Sequence, residues 1–380
     1  MALRFGFIST YPPTQCGLAT FTSSLMGALT ASGVDDGRVA RLLEAPQPRG
    51  GPEYVTDVIA GDPLTSARSV DRLNGCDVVI VQHEFGIYGG PDGDGVLALL
   101  AGLAVPTIVV LHTVLTEPTT HQREVMEAVV AAAGGVVTMT YTARGRLLAG
   151  YQVDPDKVRV IAHGAPEPPR SASDRTATTS GERPAVLTWG LLGPGKGIEW
   201  GIEAMALLQD RRPTPRYIVA GQTHPKVVLR DGENYRNALE RRVEDLSLTG
   251  TVRLDGRYLD DPSLAALVAA ADVVLLPYDS TEQVTSGVLI EAVAAGKPVV
   301  ATRFPHAIEL LSAGAGIVVP HRDPIAIAEA LRRVINSEEV AAAMSRAASA
   351  AAPGLRWSAV ADQYRCLATR LIADAVEVAA

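Results

Sequence analysis

Three cysteines occur in 380 residues, and Cys16, Cys76 and Cys366 lie far apart, in a glycine-containing turn, ahead of an apolar run and near the C-terminus. That spacing excludes a disulfide framework and a thiolate zinc site, and it fits a reducing compartment. Positive charge is also scarce: 34 Lys and Arg stand against 42 Asp and Glu, for a net charge of −8. No general basic face is left for nucleic acid or an anionic membrane, so phosphate recognition must be local and the partner is expected to be a small molecule. No apolar run is long enough to span a bilayer, and no signal-peptide pattern separates Met1 from the first apolar stretch, Leu3 to Ile8. A cytoplasmic protein without an integral membrane segment is the expectation. Carboxylates are not clustered either. The string Asp92-Gly93-Asp94 reads as solvated turn residues opening a helix, so no metal ligands are assigned.

What is present is a chain that is 47% hydrophobic, enough for two cores at this length. Short apolar runs at 5–8, 39–43, 78–81, 107–111, 136–139 and 158–161 alternate with helical stretches, the rhythm of a doubly wound parallel α/β sheet. Residues 166–184, rich in Pro, Ser, Thr and Ala, break that rhythm and read as a linker. A second βα series follows, with strands expected at 185–189, 216–220, 252–254, 273–276, 299–301 and 317–319, and only helices after Pro324. The expected domains are therefore 1–165 and 185–356. No internal repeat is visible beyond the shared architecture.

Two elements of the second series carry chemistry. The run Ala185 to Trp189 ends in Gly190-Leu191-Leu192-Gly193-Pro194-Gly195-Lys196-Gly197, after which Ile198, Ile202, Met205 and Leu208 mark one face of a helix. Amides at a helix start attract anions and the lysine adds a full charge, a setting suited to a diphosphate. About a hundred residues later the run Val273 to Leu276 stops at Pro277-Tyr278, and a loop leads through Gln283 to a helix start at Ser286-Gly287 with Glu291 in its early turns. Either piece alone is as compatible with a plain turn as with a binding site. Their order, completed by Ala294-Ala295-Gly296-Lys297-Pro298-Val299-Val300-Ala301, resembles the retaining glycosyltransferases of family four over roughly residues 185–330.

The resemblance implies the GT-B fold, two Rossmann-like domains facing each other across a cleft, with the last helix, 357–380, rejoining the first domain. It implies a nucleoside diphosphate sugar as donor, a saccharide or small-molecule acceptor, no metal and no other cofactor, and it leaves room for a homo-oligomer. Lys196 and the helix start Ser286-Gly287, with Thr285 and Val288, would hold the diphosphate; Glu291 would bind the ribose hydroxyls and Gln283 the donor sugar. Gly190 and Thr223 fall on the donor side, and Arg257 and Tyr258 on the nucleobase side. His112, at the end of the run from Thr107, would contact the transferred sugar, and Gly17, in the loop Thr10 to Phe21, would approach the diphosphate. Gln15, His121 and the charged aromatic tip with His83, Glu84 and Tyr88 are expected to meet the acceptor. His-Glu just past a strand end is poorly suited to burial. His163 reads as structural.

The sequence departs from the family pattern twice. Gln283 stands where the family has the first of two glutamates, and Leu191 where it has an arginine. Lys196 is then the clearest cation for the diphosphate, with Lys226 or an arginine of the other domain as the candidate second charge. The segments Pro12 to Phe21 and His83 to Gly90 resemble bacterial mannosyltransferase-like members, which favours GDP-mannose over UDP-glucose. A sugar-nucleotide epimerase and a non-catalytic sugar-nucleotide-binding protein are the rival readings.

Overall fold

The computed structural model describes residues 2–47, 54–167 and 183–379. Most of the expected linker lies outside the described residues. The chain divides into two compact units, Met1–Gly164 with Trp357–Ala380, and Ala165–Arg356. Each is built on one parallel sheet.

In the N-terminal unit, β1 (Arg4–Ser9), β2 (Asp36–Leu43), β3 (Tyr54–Ile59), β4 (Val78–His83), β5 (Thr107–Leu111), β6 (Gly135–Thr138) and β7 (Val158–Val160) lie in the order β3-β2-β1-β4-β5-β6-β7. In the C-terminal unit, β8 (Ala185–Trp189), β9 (Arg216–Ala220), β10 (Val252–Asp255), β11 (Val273–Leu276), β12 (Val299–Thr302) and β13 (Gly316–Val319) lie in the order β10-β9-β8-β11-β12-β13. Both are Rossmann-like. Central strands such as Val78-Val79-Ile80-Val81 are buried along their length, as strands covered on both faces must be, and β-branched residues suit them. Strand order reverses between β1 and β4 in one sheet and between β8 and β11 in the other. The loops leaving those strands diverge there and open a crevice where ligands of such sheets bind.

The strand β3 is not anticipated by the sequence pattern. It pairs in parallel with β2, and its Asp57 accepts from Nε of Arg41 at 3.0 Å. Arg41 lies fully buried inside the apolar run of β2, and a guanidinium there requires a carboxylate from a neighbouring strand.

Each core forms between its sheet and its helices. Phe5, Phe7, Ile80 and Val110 of the first sheet pack with Phe21 and Leu25 of the helix Gly17–Thr30 and with Val360 and Tyr364 of the helix Trp357–Ala379. A side chain on Gly164 would overlap the Trp357 ring, its Cβ only 2.1 Å away, so glycine lets the C-terminal helix seat. In the second unit Ile198, Ile202, Met205 and Leu208 pack against Val186, Val273 and Leu275.

Candidate functional site

The loops leaving β8 and β11 are laced together at the switch point of the second sheet. Trp189, the last residue of β8, donates its indole N–H to Glu291 Oε2 at 3.1 Å. A Cβ on Gly190 would sit 3.5 Å from Val288, and the Gly195 carbonyl accepts from the Asp279 amide at 2.9 Å. Gly197 caps the helix Ile198–Ala206 at φ +61°, and a Cβ there would meet the Pro277 carbonyl at 1.9 Å, so no side chain fits. The Lys196 ammonium rests over the Tyr278 ring, 4.4 Å from its centroid. That ring stacks on Phe304 and is 1% exposed, which fixes the platform beneath the cation.

The helix Gly287–Ala294 begins opposite that lysine loop. Its cap, Ser286, accepts from the Leu289 amide through Oγ at 3.3 Å and gives its own amide to His306 Nδ1 at 2.8 Å. Gly287 and Val288 thus carry the first-turn amides for which the helix supplies no acceptor. Gln283 donates from Nε2 to the Thr285 carbonyl at 3.1 Å, and the Thr285 hydroxyl is buried without a hydrogen-bond partner. Glu291 is the unusual group. Burial pushes its carboxyl up to about 7, opposed by the Trp189 hydrogen bond. Asp279 is by contrast fully engaged, by Trp200 Nε1 at 2.9 Å and Arg322 Nε at 3.2 Å.

The structure thus brings Gly190, Lys196, Gln283, Thr285, Ser286, Gly287, Val288 and Glu291 onto two neighbouring loops and one helix. It corrects the reading of one other and places two more at an exposed loop. Thr223 is 3% exposed and gives its hydroxyl to Glu233, so its side chain faces the interior rather than a ligand. Arg257 makes two bonds to Asp255, at 2.9 and 2.7 Å, and its charge is already met; the Asp255 carboxyl is held well below the usual carboxylate range by Arg257 first and also by Arg253. Tyr258 beside it is exposed. Trp189, Tyr278, Asp279 and His306 complete the site without having been singled out. Trp189 and the Tyr278-Asp279 pair adjoin the two motifs and were legible by position, whereas nothing local marks His306.

In the N-terminal unit the expected acceptor residues separate into buried and accessible groups. His83 is not at a loop tip: it is the last residue of β4 and fully buried. Tyr88 is likewise buried, its hydroxyl donating to the Gln82 carbonyl at 2.6 Å. Neither side chain meets solvent, and Tyr88 ties the loop to the end of β4. Glu84 is half-buried and accepts from the Thr113 hydroxyl at 2.5 Å. His112 follows β5 and pairs through Nε2 with Gln82 Oε1 at 2.7 Å, which leaves Nδ1 as an acceptor. Gly17 opens the helix Gly17–Thr30 with empty space where a Cβ would stand, and Gln15 is exposed just before it. The Asp92 and Asp94 pair is more than a solvated turn. Asp92 binds His121 Nδ1 at 2.9 Å and Asp94 lies 3.9 Å from its Nε2; the hydrogen bond to Asp92 raises the His121 pKa, and the ring stays partly exposed. Among the described residues no cluster of three metal-ligating side chains occurs, and no helix is long and apolar enough to cross a membrane.

His112 and His163, half-buried, flank Phe21, and the fully buried His83 lies within the electrostatic reach of His112. The rings of His112 and His163 each stand 5.0 Å from that phenyl ring, and His163 donates from Nδ1 to the Gly164 carbonyl at 2.7 Å. Burial pulls the pKa values of His83, His112 and His163 down to about 4, 3 and 4 respectively. Above pH 6.5 they are neutral whether folded or unfolded. Below it the unfolded chain takes up protons that the folded chain refuses, so stability falls between pH 6.5 and about 3, with the His83 and His163 contributions complete by about 4. Both His83 ring nitrogens lack a partner, so His83→Phe gives up no hydrogen bond. Urea titrations of this variant should show a shallower loss of stability between pH 6.5 and 4 than the parent protein; an equally steep loss would contradict this account.

Residues 183–337 match the sequence model of the family described as Glycosyl transferases group 1. The chain is 30% identical over 240 residues to the D-inositol 3-phosphate glycosyltransferase of Corynebacterium glutamicum, covering 60% of this chain and 55% of that protein. It therefore spans little more than half of that relative's length. It is 26% identical over 302 residues to the alpha-D-kanosaminyltransferase of Streptomyces kanamyceticus, covering 73% and 75% of the two chains. Among solved structures, sucrose-phosphate synthase from Thermosynechococcus elongatus aligns at TM-score 0.73 and 19% identity, over 98% of this chain and 100% of the other. HepE of Anabaena in complex with UDP-glucose aligns at TM-score 0.70 and 17% identity, over 99% and 100%. At those identities the likeness is one of fold. Residues 183–337 thus match glycosyl transferases group 1, and the chain as a whole has the GT-B fold.

Proposed function

We propose that this chain is a retaining, metal-independent hexosyltransferase that moves a hexose from a nucleoside diphosphate sugar to a hydroxyl of a soluble saccharide or small-molecule acceptor. The observation that carries the reading is the meeting of Lys196, the Gly287 and Val288 amides and Glu291 on loops laced at one switch point. The chemical problem is departure of a diphosphate, whose growing negative charge needs donors already in place. Lys196 and the helix-start amides supply them. The acceptor hydroxyl attacks the anomeric carbon on the face the diphosphate leaves, and a diphosphate oxygen takes its proton, so no protein nucleophile is used. Glu291 accepts from the ribose hydroxyls, Gln283 and His112 meet the donor sugar, and Gln15, Glu84 and His121 are the accessible acceptor-side residues.

GDP-mannose is the donor the sequence favours and UDP-glucose its competitor. The relatives' names speak of inositol 3-phosphate and kanosaminyl transfer and do not mention mannose, so this assignment rests on the loop segments alone. Incubation with each donor, a panel of sugar and polyol acceptors and excess EDTA tests the whole reading. Transfer that persists in EDTA, with an α-anomeric product by NMR, is the expected result. Activity lost to EDTA and restored by magnesium would overturn metal independence, an inverted product would overturn retention, and an altered donor sugar without acceptor would mark an epimerase. Donor binding without any product would mark a non-catalytic binder.

Gln283→Ala tests the sugar end of the site. Among the described residues the side-chain hydrogen bond of Gln283 is to the Thr285 carbonyl, so its removal should cost little stability. Transfer should fall about tenfold, the worth of one or two neutral hydrogen bonds, while calorimetry gives unchanged affinity for the free nucleoside diphosphate. A loss of affinity for the bare nucleotide would place Gln283 elsewhere on the donor.

A further inference from the structure

The loop after β9 is fastened to the glycine–lysine turn beyond the ends of their strands. The Gly190 amide donates to the Ala220 carbonyl at 3.0 Å, the Leu192 amide to the Gln222 carbonyl at 2.9 Å, and the His224 amide to the Leu192 carbonyl at 2.8 Å. A Cβ on Gly221 would stand 2.0 Å from the Gly190 carbonyl oxygen, so that junction has no room to shift. His224 then caps the short helix Pro225–Asp231, its Nδ1 accepting from the Lys226 amide at 3.1 Å, and Val227 lies 3.1 Å from a Cβ position on Gly193 of the turn. Lys226, exposed, lies in the chain between His224 and Val227, the two residues fastened to the turn. Burial lowers the His224 pKa first, and both the Lys226 and the Lys196 ammonium groups lower it further, so the imidazole lies within the field of both lysines. The turn itself contributes no acidic side chain, and the carboxylate that meets the β9 loop, Glu233, accepts from the Thr223 hydroxyl and pairs with Arg236.

We propose that Lys226 is the second cation for the donor's diphosphate, carried to the glycine–lysine turn by the fastened β9 loop and serving where Leu191 offers no charge. The inference rests on the diphosphate reading of that turn. A diphosphate carries more charge than one ammonium neutralises, and a second donor on a rigid neighbouring loop raises affinity without reorganisation.

The test is calorimetric titration of the full chain with GDP and with UDP, and with guanosine and uridine, for the parent, Lys226→Met, Lys226→Arg and Lys196→Ala. Lys226→Met keeps the length of the side chain and removes its charge. It should bind the diphosphate that the parent prefers about tenfold more weakly and the matching nucleoside unchanged, and Lys226→Arg should restore the loss. Diphosphate affinity within twofold of the parent in Lys226→Met, or an equal loss in Lys226→Arg, would overturn the inference. If Lys196→Ala loses diphosphate affinity while Lys226→Met does not, Lys226 alone is misassigned. If neither does, the diphosphate reading of the turn falls with it.

Discussion

Lys196→Ala should lower the rate of sugar transfer about a hundredfold and leave the protein folded. Removing one preorganised charge from a departing diphosphate costs about 3 kcal/mol of transition-state stabilisation. The structural cost is smaller. The lysine's visible side-chain contact is the Tyr278 face, and a partly exposed cation–π pair contributes about 1 kcal/mol. Tyr278 itself stays buried between Phe304 and the loop, with its carbonyl accepting from His321 Nδ1 at 2.8 Å. Steady-state kinetics with matched thermal unfolding separates the two effects. Because the charge matters most once the diphosphate is leaving, kcat should fall more than KM rises. Unchanged turnover in a folded Lys196→Ala protein would remove the glycine–lysine turn from the mechanism.

The C-terminal site was legible because its chemistry lies at fixed offsets from two apolar runs. Trp189-Gly190 and Leu276-Pro277 each mark the point where a buried strand must release the chain, and the reversal of strand order brings those two points together. The contacts that make them one site are tertiary and left little trace. His306 reaches the Ser286 amide from a helix after β12, and Glu233 takes the Thr223 hydroxyl from ten residues away. The N-terminal unit was misread where polarity was taken for exposure. His83 looked like a rim residue, yet β4 runs two residues further than its apolar core and carries Gln82 and His83 inside with it. The edge strand β3 escaped notice because it follows a Pro- and Gly-rich stretch and is itself interrupted by Thr56 and Asp57. A charged Arg41 inside an apolar run was the available signal that a partner strand existed.

The departures at Leu191 and Gln283 alter charge without emptying the site. An amide still offers both donor and acceptor to sugar hydroxyls, but it cannot stabilise positive charge at an anomeric carbon as a carboxylate does. On the proposed reading the remaining carboxylate, Glu291, is the group whose ionisation should most affect donor binding.

Glu291→Ala should weaken binding of the free nucleoside diphosphate and of the intact donor alike, by about a hundredfold, since two hydrogen bonds to a charged acceptor contribute about 3 kcal/mol. The pH dependence makes the test specific. Burial raises the Glu291 carboxyl from 4.5 to about 7, and ribose hydroxyls donate to the ionised form. Nucleotide affinity should then be full above about pH 7 and fall as pH drops through it, whereas in Glu291→Gln it should be lower and flat over the same range. Trp189→Phe removes the hydrogen bond that favours ionisation, so its falling limb should move to higher pH. Stability should run the other way. A carboxyl whose folded pKa is raised stabilises the fold fully below pH 4.5 and loses that contribution as pH rises through 7. Glu291→Gln escapes this loss and should be more stable than the parent at pH 8 while binding nucleotide less well, a cost in stability that marks a charge kept for its ligand. A Glu291→Gln protein that binds GDP and UDP like its parent and unfolds no later at pH 8 would show that this carboxylate serves neither purpose.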